Sequence, residues 1–192
     1  MLDADDIVLA VVEGCDGTVE GRTKLQKLAY FVTEVMSLDS DYAPHYYGPY
    51  SYGTAAATEG QTARGLLTER VEPVPWPAFA GHDLVQRRYT YEITLKGQEA
   101  SKFRKQANAQ DFQKATELVR AVRGVTEDYR VLSWAAKVYW VVKTSGEPVT
   151  PEQIRRHSSG LGWALTPQQV EQASNVLLKL GLVVKATKTS RD

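Results

Sequence analysis

Apolar side chains recur at helical spacing from the start of the chain. Ile7, Val8, Leu9, Val11 and Val12 follow Asp3, Asp5 and Asp6, acids that favour a helix start, so a helix is predicted over 3–13. Gly14, Asp16 and Gly17 end it. After Gly21, the apolar positions Leu25, Leu28, Ala29, Val32, Val35 and Met36 return at intervals of three and four, one buried stripe on a second helix running to about residue 36. Residues 42–52 read YAPHYYGPYSY: five of the eleven are tyrosine, and Gly48-Pro49 forces a turn. Ser51 is suited to cap a third helix across 53–67. Gly53, Gly60 and several threonines make that helix intrinsically weak, so packing must hold it.

Residues 68–74 and 86–95 alternate and carry β-branched or aromatic side chains, and RRYTYEIT is the clearest strand. PVPWPAFAGHD between them reads as a long loop. Thr94 can cap a helix from residue 96, and polar helical sequence follows to residue 123. Its apolar stripe is thin (Phe103, Ala107, Phe112, Ala115, Leu118, Val119 and Val122), Gly97 and Asn108 are weak points, and Gly124 closes the run. It is expected as a connector of one or two helices. Residues 131–142 are strongly apolar, with Trp134, Tyr139 and Trp140 among them. Thr150-Pro151 and Thr166-Pro167 each place an N-cap before a proline at the first helical position, and Gly181 ends the second of these helices. LVVKAT from 182 is expected as a short strand.

The elements predict a mainly α protein with short β wings: tandem winged-helix or helix-turn-helix units, joined by a helical connector. The expected divisions are an N-terminal unit at 1–95, a connector at 96–128 and a C-terminal unit at 129–192.

Composition adds a charge asymmetry. The chain is formally neutral, yet residues 1–95 hold 7 Lys and Arg against 14 Asp and Glu (net −7), and residues 96–192 hold 16 against 9 (net +7). A phosphate-binding surface is therefore expected in the second half, unless the two halves neutralise each other on packing. No apolar run approaches the roughly 20 residues of a membrane span. The stretch 7–12 is also too acid-flanked for a signal peptide. The single cysteine, Cys15, allows no internal disulfide and reads as a small buried hydrophobe. These features fit a cytoplasmic protein without membrane contact.

GRTKLQKLAYFV (21–32) followed by HYYGPYS (45–51) resembles the YwgA-like group of small bacterial and archaeal proteins. The same pairing of a KLQKL-Y helix with a Gly-Pro turn is similar to the Panacea antitoxin domain. Lys24, Leu25, Lys27, Leu28 and Tyr30 match the helix, and Tyr47, Gly48, Pro49, Tyr50 and Ser51 match the turn, over about residues 5–70 and extending to 1–100. The chain departs from the Panacea pattern in the Pro-Tyr-Ser of its turn and in carrying a second winged-helix-like unit. The resemblance implies a domain that neutralises a toxin by contact. The C-terminal half resembles generic winged-helix transcription factors.

Two sets of candidate site residues emerge. In the second half, Gln168, Gln169, Gln172 and Asn175 suit the reading of base edges, with Arg155, Arg156 and Lys179 on phosphates and Lys185, Lys188 and Arg191 as a basic tail. In the first half, Arg22, Lys24, Lys27, His45, Tyr46, Tyr47, Tyr50 and Ser51 form a candidate partner-binding surface, with Tyr42 and Tyr52 in the same cluster. No Gly-rich phosphate loop, nucleophile elbow or metal-ligand spacing is present, so no catalytic, cofactor or metal residue is expected. The expected activity is DNA-binding regulation, with double-stranded DNA as partner and a homodimer through the central helices. The alternative is a protein-interaction module of antitoxin or defence type, which docks a partner through the tyrosine-rich turn.

Overall fold

In the computed structural model, which describes residues 1–75 and 85–184, Asp3 starts the first helix. Its carboxylate accepts the Asp6 N–H at 2.8 Å, and the Asp6 carboxylate accepts the Asp3 N–H at 3.2 Å. Two donors that a helix start leaves open are thereby satisfied. α1 (Ala4–Gly14) buries every residue from Ile7 to Val12, so it is a core helix and not a surface one. Cys15 follows it, buried, with its thiol pushed up to about 11 by burial.

β1 (Thr18–Glu20) comes next, a three-residue strand too short to carry a periodic signal. α2 (Arg22–Val35) buries Leu25 through Thr33. α3 (Tyr52–Ala63) starts at Ser51, whose hydroxyl accepts the Thr54 N–H at 2.8 Å. It ends four residues before the expected point, because Leu67 is the first residue of β2 (Leu67–Pro75). β3 (Val85–Ile93) runs antiparallel to β2 with Glu69 opposite Tyr91, and β1 adds on its other side with Val19 opposite Tyr91. The sheet therefore has three strands in the order β1-β3-β2.

The expected connector is two helices. α4 (Leu95–Ala107) starts at Thr94, whose hydroxyl accepts the Gly97 N–H at 3.0 Å. α5 (Ala109–Val125) follows a break at Asn108. The apolar stripe does not run through both. α5 buries Phe112, Ala115, Val119 and Val122, whereas Phe103 on α4 is 68% exposed. The break turns Gly97 and Ser101 of α4 inward instead. Gly97 is required there: a Cβ would sit 2.1 Å from the Leu66 carbonyl oxygen. Gly14 serves the same purpose at the crossing of α1 and α5, where a Cβ would meet that of Val119 at 2.6 Å.

α6 (Tyr129–Ser145) packs on α2 and carries α8 on a further side. α7 (Pro151–Gly160) and α8 (Pro167–Lys179) open with the expected Thr-Pro starts, each closed by a reciprocal cap from Gln153 or Gln169. Leu182 to Val184 form no strand, and the rest of the expected LVVKAT strand lies outside the described residues. The buried side chains of α1, α2, α5, α6 and α8 belong to one continuous cluster. Among the described residues, no helix is long and apolar enough to cross a membrane.

Candidate functional site

The tyrosine-rich turn is held by its backbone. Trp163, 1% exposed, donates its indole N–H to the His45 carbonyl at 2.7 Å. Ser133 on α6 donates its hydroxyl to the Tyr47 carbonyl at 2.6 Å. The Lys27 amine on α2 donates to the Pro49 carbonyl at 2.6 Å. Gln26 pairs in both directions with the Ser51 backbone, accepting its N–H at 3.1 Å and donating to its carbonyl at 3.0 Å. Four side chains from α2, α6 and the start of the α7–α8 loop thus satisfy main-chain groups that a turn pressed onto a core cannot give to water.

This arrangement corrects part of the expected partner surface. Lys27 is 1% exposed, so it cannot meet a partner. Its charge is costly there: burial, with the Lys137 charge beside it, pulls its amine down to about 7. Both lysines wrap Gly48, whose Cβ position lies 3.1 Å from Lys137 Cγ and 3.4 Å from Lys27 Cε, at φ +99°. The backbone conformation favours glycine at this point, and a Cβ there would be tight against both lysines. Ser51 is also buried, its hydroxyl donating to Asp41 while it caps α3.

The tyrosines divide. Tyr42 turns inward, edge-on to the buried Tyr30 ring at 5.0 Å, with its hydroxyl 3.3 Å from Thr54 Oγ1. Tyr50 is half-buried between His45 and Tyr52. Tyr46 and Tyr52 point out, 74% and 71% exposed, and Tyr47 is 49% exposed. Arg22 and Lys24 also stay near the surface, paired with carboxylates other than the neighbours in sequence. Arg22 reaches Glu69 at 3.2 Å and Lys24 reaches Glu127 at 2.9 Å.

In the second half, α8 presents the expected polar face. Gln168, Gln172, Asn175 and Lys179 are exposed, while Val170, Ala173, Val176 and Leu177 are buried on the opposite side. Glu171 is exposed beside the polar face. Gln169 is spent on the helix start, its side-chain oxygen accepting the Thr166 N–H at 2.9 Å. Arg155 steadies the loop before α8 by donating to the Leu165 carbonyl at 3.2 Å. Arg156 is exposed without an ion pair among the described residues. Lys185, Lys188, Arg191 and His82 lie outside the described residues.

The charge asymmetry is partly consumed inside the chain. Arg104 pairs with Asp6 at 2.9 Å, Arg123 with Asp16 at 2.7 Å and Lys105 with Glu13. Lys143 pairs with Glu34. These basics of the second half are therefore partly neutralised by acids of the first half, although Lys105 and Lys143 stay exposed. No model of a known protein family matches the chain, and no curated protein matches it.

Proposed function

We propose that the protein acts by binding, with double-stranded DNA as the ligand and α8 as the element that enters the major groove. The observation that carries this reading is the division of α8 into a buried apolar face and an exposed amide-rich face ending in Lys179. Over 13 residues the helix is about 20 Å long, enough for its first turns to reach several base edges. α6, α7 and α8 then form a helix-turn-helix unit, with Arg156 and Lys179 on phosphates and Gln168, Gln172 and Asn175 on bases. The order α1, β1, α2, α3, β2, β3 supports a winged-helix reading of the first half. Its third helix carries Glu59 and small side chains rather than basic ones, so α3 is not the reader.

Fluorescence anisotropy with a mixed-sequence duplex at about 50 and about 200 mM salt tests this. Binding should fall steeply with salt, and Arg156→Ala/Lys179→Ala should flatten the salt slope by about two phosphate contacts. Gln172→Ala/Asn175→Ala should leave the slope and reduce preference among sequences. Absence of binding at micromolar protein and low salt would sink the reading. The exposure of Tyr46 and Tyr52 beside a rigidly held backbone favours a second one: an antitoxin-like module whose turn docks a protein partner.

A further inference from the structure

A groove of about 530 Å³ opens where the start of α2 meets β3, within the roughly 300–1,000 Å³ of clefts that hold small ligands. Three aromatic rings border it: Tyr47 from the turn, Tyr89 from β3 and Tyr129 at the start of α6, with Tyr47 and Tyr129 49% and 50% exposed. Four cations, Arg22, Lys24, Arg87 and Arg88, line it against one carboxylate, Glu20. This is a concentration of positive charge inside a half of the chain whose net charge is −7 (7 basic against 14 acidic residues).

The cations differ in what they can still do. Lys24 is neutralised by Glu127, which Arg123 shares. Arg22 is positioned: its guanidinium lies 3.7 Å over the Tyr89 ring, Nε donates to the Tyr91 hydroxyl at 3.0 Å and one Nη to Glu69 at 3.2 Å. Its remaining Nη has no partner among the described residues, so a fixed donor edge is left. Arg87 and Arg88 are exposed and make no ion pair among the described residues. Beside them, the α2 start has Gly21 as its N-cap and no side-chain acceptor for its first N–H groups. With Glu69 and Glu127 counted, four cations face three carboxylates, and the single net charge implies modest affinity.

We propose that this groove binds a nucleotide, its phosphate held by Arg22, Arg87 and Arg88 and its base stacked on the exposed tyrosine rings. The fixed guanidinium of Arg22 and the exposed ones of Arg87 and Arg88 serve the phosphate, and a tyrosine face accepts any base without reading it. The shared chemistry is a phosphate beside a flat ring, which a free nucleotide and an unpaired nucleotide of a strand both supply. The site goes beyond duplex binding by α8, uses none of its residues, and stands if that reading fails.

The test is anisotropy of a fluorescein-labelled single-stranded oligothymidylate at low salt, with wild type, Arg87→Ala/Arg88→Ala, Tyr47→Ala/Tyr129→Ala and Arg156→Ala/Lys179→Ala. All substituted side chains are exposed, so circular dichroism should show each variant folded. Binding should weaken about tenfold or more in each of the first two variants and stay within twofold in the third. Displacement by millimolar thymidine monophosphate, but not by equal inorganic phosphate, identifies a free nucleotide as sufficient. Failure of the monophosphate beside displacement by unlabelled strand assigns the site to strands. No binding at about 100 µM protein, binding indifferent to the tyrosine variant, or equal displacement by inorganic phosphate would each overturn the proposal.

Discussion

Lys27 offers a prediction whose sign and size both follow from its place under the turn. The residue is 1% exposed, its amine donates to one carbonyl, and burial together with the neighbouring Lys137 charge pulls that amine from 10.5 to about 7. Below about pH 7 the amine is protonated in both states, and the folded chain bears the full cost of a buried ammonium. Between about 7 and 10.5 the unfolded chain still holds the proton and the folded chain has released it, so stability rises with pH. From pH 6 to 8.5 the gain is about 2 kcal/mol, from about 1.4 kcal/mol per pH unit once the folded amine is neutral. The upper limit matters because Cys15, pushed from 9.0 to about 11, works in the opposite direction above its unfolded value. Lys27→Met keeps the length of the side chain and removes the proton. It also loses the bond to Pro49, a cost of about 1–3 kcal/mol whose change on deprotonation is already contained in the lowered pKa of the amine. Urea denaturation of both proteins at pH 6 and pH 8.5 separates these contributions, since titrating groups away from Lys27 cancel in the difference and its neighbour Lys137 is the one coupled to it. Wild type should gain about 2 kcal/mol relative to Lys27→Met over that interval. An unchanged difference between the two proteins would show that the buried amine is not held near neutrality, and the reasoning would fail.

Other perturbations read the packing directly. Gly97→Ala should destabilise by about 1–3 kcal/mol despite the better helix propensity of alanine, because the new Cβ would lie 2.1 Å from the Leu66 carbonyl oxygen; thermal melting would check it, and a stability gain would contradict the close approach. Trp163→Phe should cost about 1–2 kcal/mol by removing the donor to the His45 carbonyl and leaving space in a buried site, and equal stability in denaturant would mean that the indole does not anchor the turn.

The functional surfaces were legible to different degrees. The polar face of α8 could be read from spacing, since Gln168, Gln172, Asn175 and Lys179 recur at helical intervals. The role of Gln169 was equally local, because a Gln three residues after a Thr is itself the signature of a reciprocal cap, and it competes with base reading for the same side chain. The residue type of Lys27 argues for exposure, while the carbonyl that accepts its hydrogen bond belongs to a turn 22 residues away. The groove at α2 had no sequence signature. Its lining comes from four separate segments, around residues 20–24, 47, 87–89 and 129.

By itself the sequence determined the starts of most helices. Asp3, Ser51, Thr94, Thr150 and Thr166 each cap a helix three residues ahead, and such a contact is complete within one turn of chain. It also determined the β2–β3 ribbon, where alternation marks both strands. Tertiary structure alone decided the third strand, the inward turn of α4 and the pairing of basic with acidic halves. β1 is three residues long and gains its hydrogen bonds from β3, some 70 residues on, so nothing within its own neighbourhood marks it. Gly97 and Gly14 look like weak points of a helix until another segment passes within reach of the missing Cβ. Local rules register what a residue does to its own turn, whereas close approach and charge pairing depend on which distant segment arrives there.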